Sequence, residues 1–541
     1  MAGIIDNAKL YHRPEQPGPE GVILRGDMAA SRSAPAESRF LIRFAGDLGT
    51  KKGRALVQFR SRLARNLKDA MRSTGTPFSL QTTRGRIYVS TRQPQADRIL
   101  RRVFGIQSFS RIHTRQFSTL EDIVVDGERL FGDKVAGKTF AVRARRSSVR
   151  SEVSFDSMDI ERALGARLLD RSAGVRLSDP EVTVNVELTR TGAHYFEDVT
   201  RGPGGLPIGC EGKALALVSG GIDSVAAAWL MLKRGLQLDY LFFNLGDDDH
   251  REQVLDVVRV LSGSWSYGSE PRIYISDLRP WVHELRANTD QKLWQVLLKR
   301  LMIRGAEEIG SRTNSQGIVT GESLGQVSSQ TLDNLAVIEE ATSLPVLRPL
   351  IGFDKLEIID LAKRIGTFDR SSKIPEYCAL QGRGPTISAD RVDLQESEAR
   401  LDLDAFRQSL QRSATIDLRR EVAGSGTVAG SAKRPSLAID AIPDDATVID
   451  LRPARTFEGW HYPGAVRLDY PQALRGAALV ERGRPYVVCC EVEFKSADVA
   501  EKLRAHGHEA YYFRGGTGRL LRYAAQRQLV DPASVAPAIR D

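Results

Sequence analysis

The sequence predicts an α/β protein of several domains, with a doubly wound parallel sheet at its centre. Three observations carry that prediction. The chain has 541 residues, too many for one hydrophobic core. From about Gly205 short apolar runs alternate with helical patterns, the mark of a parallel sheet with crossover helices. The first of those runs, Leu215 to Val218, passes directly into Ser219-Gly220-Gly221-Ile222-Asp223-Ser224 and then into a helix read from Ala226 to Lys233.

That last feature bears most directly on chemistry. Paired glycines let a backbone come close to a phosphate, a helix start offers N–H groups and a positive dipole end, and Ser219 and Ser224 add hydroxyl donors. Leu217 and Val218 lead into the loop. Asp223 is a carboxylate in an anion-seeking loop, which suits a magnesium ion, Mg2+, better than a bare phosphate. The spacing is not that of a Walker A loop, which ends in a lysine reaching the terminal phosphates. An ordinary strand-to-helix turn is the bland alternative.

Each unit has its own pattern. The first 38 residues lack an apolar signal core and read as a mobile tail, with translation starting at Met1 or Met28. From Arg39 to Arg111 the order is strand (Phe40 to Phe44), basic turn, long helix, strand (Arg86 to Ser90), helix and a short apolar segment. The long helix, Ala55 to Met71, puts Leu56, Phe59, Leu63, Leu67 and Met71 on one face. A second small unit has strands at Thr139 to Arg145 and Val182 to Leu188, with a helix around Met158 to Leu169. Strands of the third unit are expected at Ala214 to Val218, Leu238 to Asn244, Arg272 to Ile275 and Gly317 to Thr320. Ligands of such sheets bind at the carboxyl ends of the strands. The chain then turns polar, a Gly-Ser-rich stretch reads as a flexible linker, and a last compact unit begins near Leu437. The resulting boundaries are 1–38, 39–105, 106–204, 205–404, 405–436 and 437–541.

Charge is divided unevenly. Residues 40–150 hold 24 lysines and arginines against 8 acids, a net +16, which leaves −7 for the rest of a chain whose total is +9. The N-terminal third is therefore the part suited to a polyanion such as RNA, a solvated basic surface being the plainer alternative. The only cysteines are Cys210, Cys378, Cys489 and Cys490. So few, without a C-x-x-C pair, argue for a reducing, cytoplasmic setting and against a disulfide framework, a zinc site or an iron–sulfur cluster. No apolar run approaches the ~20 residues that cross a bilayer.

Three further segments make the pattern specific. They are Val319-Thr320-Gly321-Glu322-Ser323-Leu324-Gly325-Gln326 with Val327-Ser328-Ser329-Gln330-Thr331, then Leu347-Arg348-Pro349-Leu350-Ile351-Gly352-Phe353-Asp354-Lys355, and Gly202-Pro203-Gly204-Gly205-Leu206-Pro207. With Ser219 to Ser224 they resemble the tRNA 4-thiouridine synthetase (ThiI) family, and the loop itself resembles the PP-loop of ATP pyrophosphatases. Val448 to Arg452 and Gly459 to Ala465 resemble a rhodanese domain.

The resemblance implies a ferredoxin-like domain (39–105), a THUMP RNA-binding domain (106–204), a PP-loop domain (205–404) and a rhodanese-like domain (437–541), the last two joined by the linker (405–436). It implies an ATP-dependent tRNA uracil 4-sulfurtransferase acting on the uridine at position eight, with a cysteine desulfurase as sulfur donor. It also allows a role as sulfur carrier to a thiazole sulfur-carrier protein in thiamin synthesis. ATP would be held by Leu217, Val218, Ser219, Gly220, Gly221, Ser224, Lys299, Gly321 and Gln330. Lys355 would add positive charge near the α phosphate, Asp223 would be a catalytic carboxylate near magnesium, and Arg300 adds charge next to Lys299. Cys490 would carry a persulfide, and Cys378 would resolve it through a disulfide.

Cys490 closes the strand Tyr486 to Cys489 in front of a helix, where backbone N–H groups and the dipole favour a sulfur anion. Cys489 reads as a buried strand residue and Cys210 as a small core or loop residue. One departure stands out. Rhodanese loops commonly hold glycine and arginine, whereas Glu491 and Glu493 here disfavour an anion, with Lys495 as the sole offset in the loop.

Overall fold

The computed structural model describes residues 37–46, 53–83, 85–147, 153–374, 384–419, 437–476, 483–491 and 494–530. The chain forms two compact units that meet in sequence at Gly205/Leu206.

In the first unit the elements are β1 (Ser38–Phe44), α1 (Gly53–Arg72), β2 (Phe78–Thr82), β3 (Ile87–Thr91), α2 (Ala96–Leu100), β4 (Ile106–Arg115), α3 (Leu120–Val135), β5 (Thr139–Arg146), α4 (Ser157–Leu169), β6 (Gly174–Val175), β7 (Val182–Thr189), β8 (Gly192–Phe196) and β9 (Thr200–Arg201). α1 forms because its apolar residues recur at helical spacing, and Phe59, Leu63, Leu67 and Met71 are buried as that spacing requires. β2, β8 and α3 are additions to the sequence reading. The strands form one sheet in the order β2-β3-β1-β4-β8-β7-β5-β6, with β9 on β4.

β4 joins the two halves of this unit. Its first part pairs with β1 (Phe40↔Arg111) and its last three residues pair with β8 (His113↔Tyr195). Buried Glu187 of β7 reinforces the junction by accepting from Arg86 at 3.0 Å and pairing with Arg43 at 3.5 Å. The boundary expected at 105/106 thus falls just ahead of a shared strand.

The second unit opens with β10 (Lys213–Leu217), α5 (Ile222–Lys233), β11 (Gln237–Asn244), α6 (Asp248–Ser264), β12 (Arg272–Asp277), α7 (Arg279–Asn288), α8 (Trp294–Arg312), β13 (Ile318–Val319), α9 (Leu332–Glu339), β14 (Val346–Leu347), α10 (Lys355–Ile365), α11 (Phe368–Ser371), α12 (Arg391–Glu398), α13 (Leu403–Leu410) and β15 (Ala414–Asp417). The sheet order is β14-β13-β10-β11-β12-β15. Every pair is parallel except β12 with β15. β10 is central and buried, as its uninterrupted apolar sequence demands.

One expectation is corrected here. The linker expected at 405–436 starts too early: α13 buries Phe406 and Leu410 in the sheet's core and β15 adds an antiparallel edge strand, while the Gly-Ser-rich stretch read as flexible, 420–435, lies outside the described residues. Phe406 lies edge-on to Trp281, with centroids 5.1 Å apart. α12 is tied to α8 by Glu398, which accepts from Arg300 (2.7 Å) and Arg304 (2.8 Å).

The chain ends in a smaller sheet built from β16 (Ala438–Ile439), β17 (Thr447–Asp450), α14 (Ala454–Gly459), β18 (Val466–Arg467), α15 (Tyr470–Gly476), β19 (Tyr486–Cys489), α16 (Phe494–Ala505), β20 (Ala510–Phe513) and α17 (Gly516–Gln526). Its order, β16-β20-β19-β17-β18, is parallel throughout. Buried Arg452 and Asp450 form an ion pair beneath it. No helix among the described residues is long and apolar enough to cross a membrane.

Burial works against the charge of Glu398, but Arg304 and Arg300 outweigh it and lower its pKa from 4.5 to about 2. A depressed folded value means that the stabilisation is complete above about pH 4.5 and disappears as pH falls toward 2. Glu398→Ala should therefore cost roughly 3–5 kcal/mol at pH 7, the usual cost of breaking a buried pair. In urea unfolding the gap to the parent protein should be narrower at pH 3 than at pH 5, and a constant gap would contradict this account of the pair.

Candidate active site

The site is built at the carboxyl ends of β10 and β13. Val218 N–H donates to the Leu241 carbonyl at 2.9 Å, holding the exit of β10 in register with β11. The chain then turns at Gly220, whose φ of +76° lies in the left-handed region that favours glycine. A Cβ there would lie 2.7 Å from Ile374 Cδ1 and 2.9 Å from Val254 Cγ2. Gly221 caps α5 without any side-chain hydrogen bond, so the helix start is closed by no side chain of its own cap residue. Ser219 N–H donates to Ser224 Oγ at 3.2 Å, and Ser224 Oγ donates to the Gly221 carbonyl at 3.2 Å. The loop is thereby folded on itself around two hydroxyls.

The helix begins earlier than its apolar pattern implies, at Ile222 rather than Ala226. Asp223 and Ser224 consequently belong to its first turn. The Asp223 carboxylate accepts from Lys355 Nζ at 2.8 and 3.1 Å and from Gln326 Nε2 at 2.9 Å. Lys355 opens α10, whose Asp354 and Glu357 form a capping box. Asp223 and Lys355, 132 residues apart, are thus direct partners.

Gly321 explains the tight geometry. A Cβ on it would come within 2.7 Å of both the Cα and N of Ser224. The backbone after β13 lies directly against the first turn of α5, and only glycine fits. Next to it, buried Glu322 gathers Lys299 (2.9 Å), Arg348 (2.9 Å) and Thr320 (3.1 Å). Burial opposes the charge of Glu322, but the two cations hold its pKa below the ordinary value. Gln330 ends a short 3-10 turn, Ser328–Gln330. Its side-chain carbonyl oxygen is buried and accepts no hydrogen bond among the described residues, leaving an acceptor for a ligand's N–H.

The expected residues separate into groups. Leu217, Val218, Ser219, Gly220, Gly221, Asp223, Ser224, Gly321 and Lys355 come together around the loop, and Lys299 joins through Glu322 next to Gly321. Arg300 does not. Adjacent residues on a helix point about 100° apart, so Lys299 faces Glu322 while buried Arg300 turns to Glu398 and the Val337 carbonyl. Cys378 lies outside the described residues. Cys489 is buried in β19 and Cys210 is half-buried. Cys490 is 3% exposed and its Sγ donates to Ser496 Oγ at 3.2 Å. Sequence reasoning gave no role to Glu322, Arg348 or Gln326, although all three lie inside the segments singled out. Among the described residues no group of three or more His, Cys, Asp or Glu could hold a metal.

Fold and site together define a multidomain PP-loop enzyme carrying a rhodanese module. Family models agree along the chain: the ThiI ferredoxin-like domain matches residues 39–110, a THUMP domain 117–194, the model described as "Thiamine biosynthesis protein (ThiI)" 209–403 and a rhodanese-like domain 435–519. A tRNA sulfurtransferase of Thermoplasma acidophilum is 36% identical over 475 residues, covering 88% of this chain and 94% of its own. One from Pyrobaculum aerophilum is 37% identical over 469 residues, covering 87% and 95%. A crystal structure of a 4-thiouridine synthetase in complex with RNA and with bound ATP matches at a TM-score of 0.63 and 30% identity, over 70% of this chain and 99% of the other. The chain belongs to the tRNA sulfurtransferase (ThiI) family.

Because its added methyl group would meet backbone rather than a side chain, Gly321→Ala should lower stability by roughly 1–3 kcal/mol, as overpacking does. Thermal unfolding measures it, and an unchanged melting temperature would contradict the close approach at Ser224.

Proposed function

We propose that this chain is an ATP-dependent tRNA uracil 4-sulfurtransferase of the cytoplasm, with the uridine at position eight as its target. The observation that carries the reading is one compact unit holding both a strand–Gly-Gly–helix anion loop and a rhodanese domain with a cysteine at the end of its central strand. The names of its relatives point the same way.

The basic first unit binds tRNA through its phosphates and shape. ATP lies with its phosphates on Ser219 to Ser224 and the start of α5, its adenine edge donating to the Gln330 carbonyl, and Gly321 lining the same cleft. Lys299, held next to Gly321 by Glu322, adds positive charge. A magnesium ion carried with ATP would meet Asp223 as its one protein carboxylate, in keeping with the ion's habit of sharing phosphates and water. It would offset phosphate charge.

Uracil O4 attacks the α phosphorus, pyrophosphate leaves, and Lys355 stabilises the charge that develops there. Cys490, loaded as a persulfide by a cysteine desulfurase, attacks C4 with its terminal sulfur as AMP departs. A disulfide then links the base to Cys490. Cys378 attacks the Cys490 sulfur, releasing 4-thiouridine and leaving a Cys378–Cys490 disulfide for a dithiol reductant.

The description of the family model as a thiamin biosynthesis protein favours a second role, sulfur delivery to a thiazole sulfur-carrier protein. That role needs the rhodanese domain alone. Cys378→Ala should abolish tRNA thiolation and spare thiazole formation, whereas Cys490→Ala should stop both; loss of thiazole formation in Cys378→Ala would defeat the separation.

Two experiments test the main reading. Asp223→Ala should remove tRNA-dependent pyrophosphate release, by at least about a hundredfold if the electrostatic role is as large as usual; unchanged release rules the assignment out. Affinity for tRNA should fall steeply with salt, and a fragment of residues 205–541 binding tRNA as tightly as the full chain would refute the role given to the first unit.

A further inference from the structure

The two acidic residues after Cys490 raise the question of what charge favours a sulfur anion there, and the neighbouring domain supplies an answer. α7, which follows β12 of the larger sheet, lies against α16 of the rhodanese domain. Arg279 forms an ion pair with Glu501. One turn further along α7, His283 stands 3.4 Å from Asp498, and the Tyr470 hydroxyl bonds to both of them. Arg279, His283 and Arg286 follow one another at i, i+4 and i+7, so they share a face.

Their partners run the opposite way along α16, from Glu501 to Asp498. The next turn is the beginning of that helix, where Ser496 holds Cys490 Sγ. Arg286 therefore belongs beside Cys490: burial lowers its pKa from the ordinary value, and the charges of Tyr470 and Cys490 act in the opposite direction. Its guanidinium is half-buried and lies 5.5 Å from the centre of the Trp294 ring, a packing that holds its direction. Glu491 is exposed to solvent, where its opposing charge is screened more than that of a half-buried group.

We propose that Arg286, contributed by the PP-loop domain, is the positioning residue that supplies the positive charge for the anionic sulfur of Cys490 across the domain interface. This rests on Cys490 being the sulfur carrier. Docking then does two things together: it presents Cys490 to the larger domain and favours the thiolate or persulfide as the reactive form. The charge that rhodanese loops commonly provide themselves comes here from a separate domain of the same chain.

The test follows alkylation of Cys490 by iodoacetamide in the full-length protein against pH, resolved by mass spectrometry of the Cys490 peptide. The midpoint reports thiolate formation and the plateau rate reports access. Arg286→Gln should raise the midpoint by about one pH unit, the usual loss on removing a nearby opposite charge, with little change in plateau. Arg286→Met keeps an unbranched side chain of similar length at this position and should do the same, which covers a glutamine variant that fails to fold. Arg286→Lys should restore most of the original midpoint. An unmoved midpoint in the uncharged variants, or one raised equally by lysine, overturns the proposal. Thiolation that survives Cys490→Ala would instead overturn the carrier reading, whatever the titration shows.

Discussion

The contact between Gly321 and the first turn of α5 is the constraint on which the active centre depends. It brings the segment after β13 to within van der Waals distance of Ser224, and so brings the Glu322 network against the anion loop. It also fixes where Asp223 can point. A side chain at position 321 would separate the two strands' carboxyl ends, and Lys299 would lose its place beside the loop. The same closeness recurs at Gly220, against Ile374 and Val254. Two glycines thus set the width of the cleft, and the charged residues are arranged around that width.

Electrostatic order in the cleft is built from pairs rather than isolated charges. Asp223 is neutralised by Lys355, and Glu322 with Lys299 and Arg348 becomes neutral once Glu339, the second partner of Arg348, is counted. Such pairing keeps long side chains in fixed directions before any ligand arrives. An incoming triphosphate would compete with Asp223 for Lys355. The rhodanese domain follows a similar logic at larger scale, with Arg279, His283 and Arg286 on one helix face answering acids and a thiol on another domain.

Much of this was legible in the sequence, for identifiable reasons. β10 and β19 are largely continuous apolar runs, β11 and β12 are apolar runs broken by polar residues such as Asp239 and Ser276, and the structure has strands there. The loop Ser219 to Ser224 was legible because glycine pairs have few uses after a buried strand. What escaped was set by tertiary contact. α13 and β15 look polar because only one face is buried, with Phe406 and Leu410 carrying the contact. Arg300 looked like a twin of Lys299, and only the turn of α8 sends it to Glu398. The start of α5 escaped because Ile222, Asp223 and Ser224 read as loop when the helix is judged by its apolar face alone. No local pattern could show that α7 would face α16.

On the function proposed for this chain, an anion loop, a basic RNA-binding front and a sulfur-carrying cysteine act together to thiolate a uridine. Nucleoside mass spectrometry of tRNA from cells with and without the gene tests it most directly. 4-Thiouridine should be present in the first and lost in the second, with return on complementation. Equal amounts of 4-thiouridine in both would contradict it.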